Sequence, residues 1–301
     1  MSSPGPHRVP WASLGAIVLL LGAIAVLQGR IDAQTADFAT EKEELLLSSP
    51  GAIQKLSLGY DALVADIYWT RAVQYYGSQV EKRSQDFHLL WPLLDVTTTL
   101  DPKFIVAYRF GAIFLSEPSA GANRTDLAVK LVKKGIAANP DNWHLDGDLG
   151  FLYYWRMKDY PDAANAYLEG SKKPGAPLWM KLMAARVAQM GGSIETSEMI
   201  WSELYNSTQD PNVRKKAAQE LEALKAQDDE QHLDEVAADY HKRFGRYPAS
   251  AEELRAAGML PGIPVDPEGY SYVFGPDGKS ALNPNSPIVI PGPPELPGAS
   301  K

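Results

Sequence analysis

The sequence predicts an all-α protein built from stacked helical hairpins, followed by a small appendix of one helix and a β-hairpin. Two observations predict the stack. A residue pattern recurs about every 35 positions through the middle of the chain, and most repeats are closed by a proline shortly after the pattern. A third observation predicts the appendix, because the helical pattern gives way to an alternating aromatic stretch near residue 270. A period of this length is typical of stacked helix pairs.

Each repeat places three residues at helical spacing. The first residue is usually small, a bulky one follows four positions later, and a small or medium one comes three after that. Residues so spaced share one helix face, and the proline ends the helix because it lacks an N–H. The repeats start 38, 35 and 34 residues apart. They are Leu90, Leu94, Thr97 and Pro102; Ala128, Val132, Gly135 and Pro140; Ala163, Tyr167, Gly170 and Pro174; and Ser197, Trp201, Leu204 and Pro211.

The N-terminal region predicts a membrane anchor. Residues 11–28 contain an uncharged, apolar run of 17 residues, at the short end for a membrane span. As an anchor it leaves residues 1–10 as a cytoplasmic tail and everything after the span outside the cytoplasm, in the periplasm if the source is bacterial. The alternative is a signal peptide cleaved after Ala33. Residues 29–55 are predicted to form a polar stalk.

The first helix of each hairpin is predicted from its apolar spacing. These helices are expected over Asp61–Tyr76, Lys103–Leu115, Trp143–Trp155 and Trp179–Met190. Val213–Ala226 is rich in good helix formers and is expected to cap the array, so the helical domain covers residues 56–226. The acidic triplet Asp228–Glu230 is interpreted as a break or as the charged start of a new helix.

The last part of the chain does not continue the pattern of helical hairpins. Residues 227–282 are predicted to form a separate module: a short helix capped by Ser250 with Glu253 as its capping-box partner, a stop at Gly258, and a β-hairpin turning at 276–279. Residues 283–301 are rich in proline and are expected to be disordered.

The repeats resemble the tetratricopeptide repeat (TPR) family over about residues 56–226. The third repeat carries most of the likeness, with Leu149-Gly150, Tyr153, Ala163 and Tyr167 followed by a proline. The resemblance implies a right-handed solenoid whose first helices line a concave, protein-binding groove. The repeat near Leu90 lacks the small first residue, and an irregular helical bundle remains the alternative.

A second resemblance covers about residues 244–278. The run Phe244–Pro248, followed by Leu254, Gly258, Leu260-Pro261 and Asp266-Pro267, is similar to the segment after the long helix of type II secretion pseudopilins. The chain lacks the prepilin processing pattern of that family and its calcium-binding loop. We therefore interpret the segment as a shared structural module, with no calcium site implied.

Composition and motifs argue against several function classes. A net charge of -8 and a pI near 5.2 disfavour nucleic acid as a partner, and the absence of cysteine excludes thiolate chemistry. No nucleophile elbow, phosphate loop or histidine metal motif occurs. His144 lies near Asp141, Asp146 and Asp148, which are expected to form a solvated helix start. We expect no enzyme activity, no cofactor and no metal.

The expected function is a membrane-anchored scaffold that binds another protein outside the cytoplasm, in a secretion or pilus assembly machine. The TPR resemblance implies that a peptide or helix of the partner occupies the concave groove, while the N-terminal helix contacts the membrane. The alternatives are a small-molecule or lipid carrier and an accessory domain of a glycan-processing enzyme. The groove residues so implied are Tyr108, His144, Phe151, Tyr154, Trp179, Arg186 and Gln189.

Overall fold

A computed structural model describes residues 20–24, 26, 27, 30 and 50–291. The predicted cytoplasmic tail, most of the predicted span and stalk, and residues 292–301 lie outside these residues. Within the described part of the chain, no helix combines the length and the apolar character needed to cross a bilayer.

The described chain is mostly helical with little sheet, which confirms the predicted all-α class. The helices are α1 (Pro50–Leu56), α2 (Asp61–Glu81), α3 (Leu90–Leu100), α4 (Ile105–Ser116), α5 (Thr125–Ala138), α6 (Trp143–Phe151), α7 (Tyr160–Ser171), α8 (Leu178–Met190), α9 (Ile194–Ser207), α10 (Pro211–Phe244) and α11 (Ala251–Ala256). A π-helical segment, Leu152–Met157, continues α6, and two short strands, β1 (Val273–Phe274) and β2 (Ser280–Ala281), follow α11.

The chain divides into two compact units, residues 1–107 and 108–301. In the described part of the first unit, α2 packs against α3. Aromatic residues just before and just after α3 contact α2: Phe104 lies edge-on to Trp69 at 5.9 Å, and Phe87 lies against Tyr76 at 6.0 Å between ring centroids. The hydroxyl of Tyr75 donates to the carbonyl oxygen of Asp86 at 3.1 Å, which closes the connection between the two helices.

In the second unit each helix packs on its neighbour in sequence from α5 through α10. Every helical position of the four predicted repeats is buried, in both units. The prolines at 102, 140 and 174 follow the ends of α3, α5 and α7 by two or three residues, as expected. Pro211 differs, because it is the first residue of α10, where a missing N–H costs nothing.

Glycines in the repeats allow the helices of the second unit to approach closely. A Cβ atom on Gly135 would lie 2.8 Å from ring carbons of Tyr108, and one on Gly150 would lie 2.8 Å from the ring of Tyr167. Gly170 faces Met180 and Asp146 in the same way. The small residues of the repeat pattern are therefore contact points between helices.

The expected break at Asp228–Glu230 is wrong, because α10 runs without interruption from residue 211 to residue 244. No glycine or proline interrupts it, and Lys225 pairs with Asp229 at 2.7 Å one turn later. The carboxylates of this stretch accept hydrogen bonds from the β-hairpin: Asp229 from the hydroxyl of Tyr272 at 3.1 Å, and Glu230 from the backbone N–H of Leu282 at 2.9 Å. They therefore join the long helix to the module that follows.

The C-terminal module has the predicted order of helix and β-hairpin. Strands β1 and β2 pair antiparallel, with Val273 opposite Ala281. The core between α10 and the module contains Leu233, Tyr240, Leu254 and Tyr272. Its short helix ends as expected, since Gly258 adopts a positive φ of 71° just beyond it.

The predicted capping box of α11 is wrong in both halves, although Ser250 occupies the N-cap position. The side chain of Ser250 makes no capping hydrogen bond. Glu253 accepts instead from the backbone N–H of Ala249 at 3.1 Å and pairs with Arg246 at 2.8 Å. The guanidinium of Arg246 thus holds the carboxylate on the residue before the expected cap.

Asp234 is expected to be the main polar tie between α10 and the hairpin. Its carboxylate accepts from Lys279 Nζ at 2.8 Å and from the backbone N–H and hydroxyl of Ser280 at 2.7 and 2.9 Å. Asp234→Ala should destabilise the hairpin by about 1.5–3 kcal/mol, the value of hydrogen bonds to a charged group. Amide exchange at Val273 and Ala281 should then accelerate by about tenfold or more.

The control for this variant is Asp239→Ala, on the same helix, where the carboxylate is exposed and pairs with the exposed side chain of Lys242. It should change stability by less than about 0.5 kcal/mol.

Although burial opposes ionisation, the bonds from Lys279 and Ser280 leave the pKa of Asp234 below its ordinary value. The stabilisation from Asp234 is therefore complete above the unfolded pKa and lost as the pH falls through the folded one. Equal amide exchange of the hairpin in Asp234→Ala and Asp239→Ala would contradict the role of Asp234 as the main polar tie between α10 and the hairpin.

Candidate functional site

The predicted groove residues lie on α4, α6, the π segment and α8, but they differ in exposure. Phe151 and Trp179 each expose 45% of their surface, which is high for large rings. His144, Tyr154 and Arg186 are half-buried. Tyr108 and Gln189 are buried.

The end of α6 and the π segment carry one aromatic cluster. Phe151 and Trp155 lie almost parallel, at an angle of 13°, with centroids 6.3 Å apart. Tyr154 lies between Trp155 and Tyr160, at 6.4 and 6.1 Å. The ammonium group of Lys158 lies 5.0 Å from the ring centre of Trp155, within the range of a cation–π contact. This end of the site therefore offers flat rings beside a positive charge.

The start of α6 carries a second cluster together with α8. His144 stacks on Trp143 with centroids 3.6 Å apart. Trp179 meets Trp143 edge-on at 6.2 Å and Tyr167 edge-on at 6.1 Å. Asn142 caps α6 by accepting from the backbone N–H of His144 at 3.1 Å, which fixes the start of the helix and the rings that it carries. We call the two clusters together, Trp143, His144, Phe151, Tyr154, Trp155 and Trp179, the aromatic face.

Two of the predicted residues belong to the interior. The ring of Tyr108 lies over Gly135 on α5, and the side chain of Leu145 approaches the same glycine. Gln189 donates to the side-chain oxygen of Gln227 at 2.9 Å, which links α8 to α10. The TPR resemblance implies that Tyr108 and Gln189 line the groove, but contacts with other helices bury both side chains.

Two ion pairs connect α4 and the residue that follows it to α6 and the π segment. Arg109 on α4 bonds Asp148 on α6 at 2.7 Å, and Arg156 in the π segment bonds Glu117 at 2.5 Å. Burial raises the pKa of Asp148, although the guanidinium of Arg109 acts in the opposite direction. Burial also raises the pKa of Tyr167 to about 12, so this ring stays neutral beneath the face.

Two members of the face, Trp143 and Trp155, are not among the predicted groove residues. Trp143 directly precedes the predicted residue His144, and it could have been found as an aromatic residue directly after a capping asparagine. Trp155 is missed because regular α-helical spacing does not hold in the π segment, which has about one more residue per turn than an α-helix. Lys158 lies just beyond, with a positive φ of 59°, and no sequence pattern predicts that conformation.

Two of the three acidic residues near His144 are not part of a solvated helix start, contrary to the expectation, whereas Asp141 is exposed as expected. Asp146 is buried and pairs with Lys173, while Asp148 pairs with Arg109. Among the described residues, no group of three or more His, Asp or Glu side chains is arranged to hold a metal ion.

No protein-family model matches the chain, and comparison with curated protein sequences also finds no match.

Proposed function

We propose that this protein is a scaffold of TPR-like hairpins, arranged as a right-handed solenoid, and that it docks a peptide or helix of another protein on the aromatic face. The observation that most supports this proposal is the exposure of two large rings. Phe151 on α6 and Trp179 on α8 are each 45% exposed, and both helices are the first of their predicted hairpins. Large aromatic side chains in the centre of an interface contribute more binding energy than other residue types.

The exposure of these rings favours docking over the role of a lipid or small-molecule carrier. A carrier needs its aromatic side chains turned inward around a void, whereas Phe151 and Trp179 face outward. The rings are also fixed before binding, because Trp179 contacts Trp143 and Tyr167. A partner would therefore meet a preformed surface, which reduces the entropy lost on association.

We further propose that residues 11–28 anchor the scaffold to a membrane and that the helical domain lies outside the cytoplasm. The anchor would confine the aromatic face to a membrane surface and raise the effective concentration of a membrane-bound partner. The pseudopilin-like module supports a partner in a secretion or pilus assembly machine. In that module a long helix, α10, packs its C-terminal half against a small helix and a hairpin.

Site-specific photocrosslinking tests the docking surface. A photoreactive phenylalanine analogue at Trp179 should crosslink one defined protein in native membranes. The matched control is the same analogue at Met199 on α9, which is 56% exposed but outside the aromatic face. Met199 should give no specific crosslink.

The two positions also separate the competing outcomes. A crosslink from Trp179 that is absent from Met199 supports docking on the aromatic face. Equal crosslinking from both positions, or a lipid adduct at Trp179 in place of a protein, would contradict the proposal.

A further inference from the structure

The turn between α1 and α2 carries three of the four most exposed large apolar side chains in the described part of the chain. Leu56, Leu58 and Tyr60 alternate along it and are 78%, 85% and 70% exposed. We call these three residues the apolar tip. Residues 56–60 contain no charged side chain. Exposed apolar clusters of this kind mark contacts with a protein or a membrane.

Hydrogen bonds around Ser57 hold the turn that presents the apolar tip. The backbone N–H of Ser57 donates to the carbonyl oxygen of Ile53 at 2.9 Å, and its own carbonyl oxygen accepts from the backbone N–H of Tyr60 at 2.9 Å. The Ser57 hydroxyl donates to the carbonyl oxygen of Gln54 at 2.7 Å and lies against the carboxylate of Asp61. Because Ser57 is buried while its neighbours are exposed, the apolar tip is a built feature that is fixed before it meets a partner.

The backbone of Leu58 indicates a role for its side chain outside the fold. Leu58 takes a positive φ of 51°, and Gly59 follows with a φ of 90°. Leucine rarely adopts this conformation, which is usual for glycine and more common for asparagine and aspartate. Residues held in this way cluster at ligand contacts and other functional sites. Since the Leu58 side chain is 85% exposed, few contacts within the described chain offset the cost of its conformation.

The position and the chemistry of the apolar tip favour a lipid bilayer as its partner. Residues 29–55 separate the tip from the predicted anchor, and even fully extended they would span roughly 95 Å at most. Lys55, exposed at the edge of the tip, can pair with the phosphate of a lipid headgroup. Tyr60 has the amphipathic ring that is enriched where proteins meet the membrane–water boundary.

The apolar exposure is centred on the tip and does not extend evenly along α2. It falls with distance from the tip, in the order Leu63 (58%), Ile67 (51%), Val73 (40%) and Val80 (37%). Asp66 is exposed on the same stretch of the helix, and a charge below the lipid headgroups is costly. The turn is therefore better suited to enter a bilayer than the whole length of α2.

We propose that the apolar tip inserts into the bilayer that holds the anchor and gives the helical domain a second contact with the membrane. The inference rests on the proposed anchor, which supplies the bilayer beside the tip. Insertion places Leu56 and Leu58 among the upper acyl chains and Lys55 among the phosphates. A second contact restricts the orientation of α2 relative to the membrane surface, which a single flexible attachment does not.

Single-cysteine labelling of the full chain tests the insertion, since the natural sequence contains no cysteine. Leu58→Cys carries an environment-sensitive dye, and the protein is reconstituted in phosphatidylcholine–phosphatidylglycerol vesicles with bromine on the upper acyl chains. The label should lie about 5–10 Å below the headgroup boundary, where bromolipid quenches it and aqueous iodide does not. The matched control is Glu81→Cys at the other end of α2, about 30 Å away, where iodide should quench and bromolipid should not.

A second pair of labels separates insertion of the tip from insertion driven by the dye. Leu56→Cys is labelled alone and together with Leu58→Asp, which suits the positive φ of that position and adds a charge. The added charge should lower bromolipid quenching at residue 56 to the level of the Glu81 control. Unchanged quenching in this pair would overturn the proposal.

Two further outcomes at residue 58 would also overturn it. One is quenching by iodide, which would place the tip in water. The other is protection from iodide without quenching by bromolipid, which would show that protein covers the tip. Flotation with the vesicles tests the anchor separately. A chain that does not float contradicts the anchor and the tip together, whereas a floating chain with its tip in water contradicts the tip alone.

Discussion

Lys173→Met is expected to lower the free energy of unfolding by about 3–5 kcal/mol at neutral pH, the usual consequence of leaving a buried charge without its partner. The Asp146 side chain is only 6% exposed and pairs with the ammonium group of Lys173. Asp146 also lies against Gly170, so it cannot move away from the contact between α6 and α7. Chemical denaturation measures the loss.

The neighbouring residue supplies the control. Lys172 pairs with Glu169 at the surface, and both side chains are well exposed, so Lys172→Met should cost no more than about 1 kcal/mol. The double variant Asp146→Asn with Lys173→Met should recover part of the loss, because it removes the unpaired charge. Equal losses in the two single variants would show that the buried pair has no special role.

The effect of Lys173→Met should depend on pH in a defined direction. Burial raises the pKa of Asp146, although Lys173 opposes the shift. Removal of Lys173 raises that pKa further. A carboxyl group with a raised folded-state pKa destabilises the fold above that pKa, and the penalty declines as the pH falls through it. The loss should therefore shrink as the pH is lowered from 7 toward 4, and a loss that does not change with pH would contradict the assignment.

Gly150→Ala is expected to destabilise the protein by about 1–3 kcal/mol, the range for overpacking. The new methyl group would lie 2.8 Å from the ring of Tyr167, which is buried and also contacts Trp179. The ring therefore has little room to shift. Thermal or chemical unfolding gives the result directly.

Gly147→Ala, three residues earlier on α6, is the matched control. Its Cβ would meet its nearest neighbours at 3.7 Å, an ordinary contact distance. Alanine favours a helix over glycine by about 1 kcal/mol, so this variant should be stabilised. Opposite signs for the two substitutions support the close approach of α6 and α7 at Gly150. Stabilisation by both would contradict it.

Helix positions and repeat burial could be predicted because they depend on local spacing. Residues such as Ala128, Val132 and Gly135 share one helix face whatever surrounds the helix, and all of them are buried. The helix stop at Gly258 is equally local, since this residue takes a positive φ just beyond α11. It follows from the backbone freedom of glycine.

Other features depend on partners far away in the sequence. The acidic stretch at Asp229 and Glu230 has the pattern of a solvated break, but its carboxylates bind hairpin residues 43 and 52 positions later. The π segment contains neither glycine nor proline, so no local signal marks it. The TPR resemblance implies both Phe151 and Tyr108 as groove residues, but the Tyr108 ring packs over Gly135 of a neighbouring helix and is buried.

Docking on the aromatic face is tested most directly by the affinity of the protein that crosslinks at Trp179. Its dissociation constant is measured for the natural chain, for Trp179→Ala and for Met199→Ala. We expect Trp179→Ala to weaken binding by about 30-fold or more, equivalent to about 2 kcal/mol for a central aromatic residue, and Met199→Ala to have little effect. Equal affinities for all three chains would show that the partner binds elsewhere.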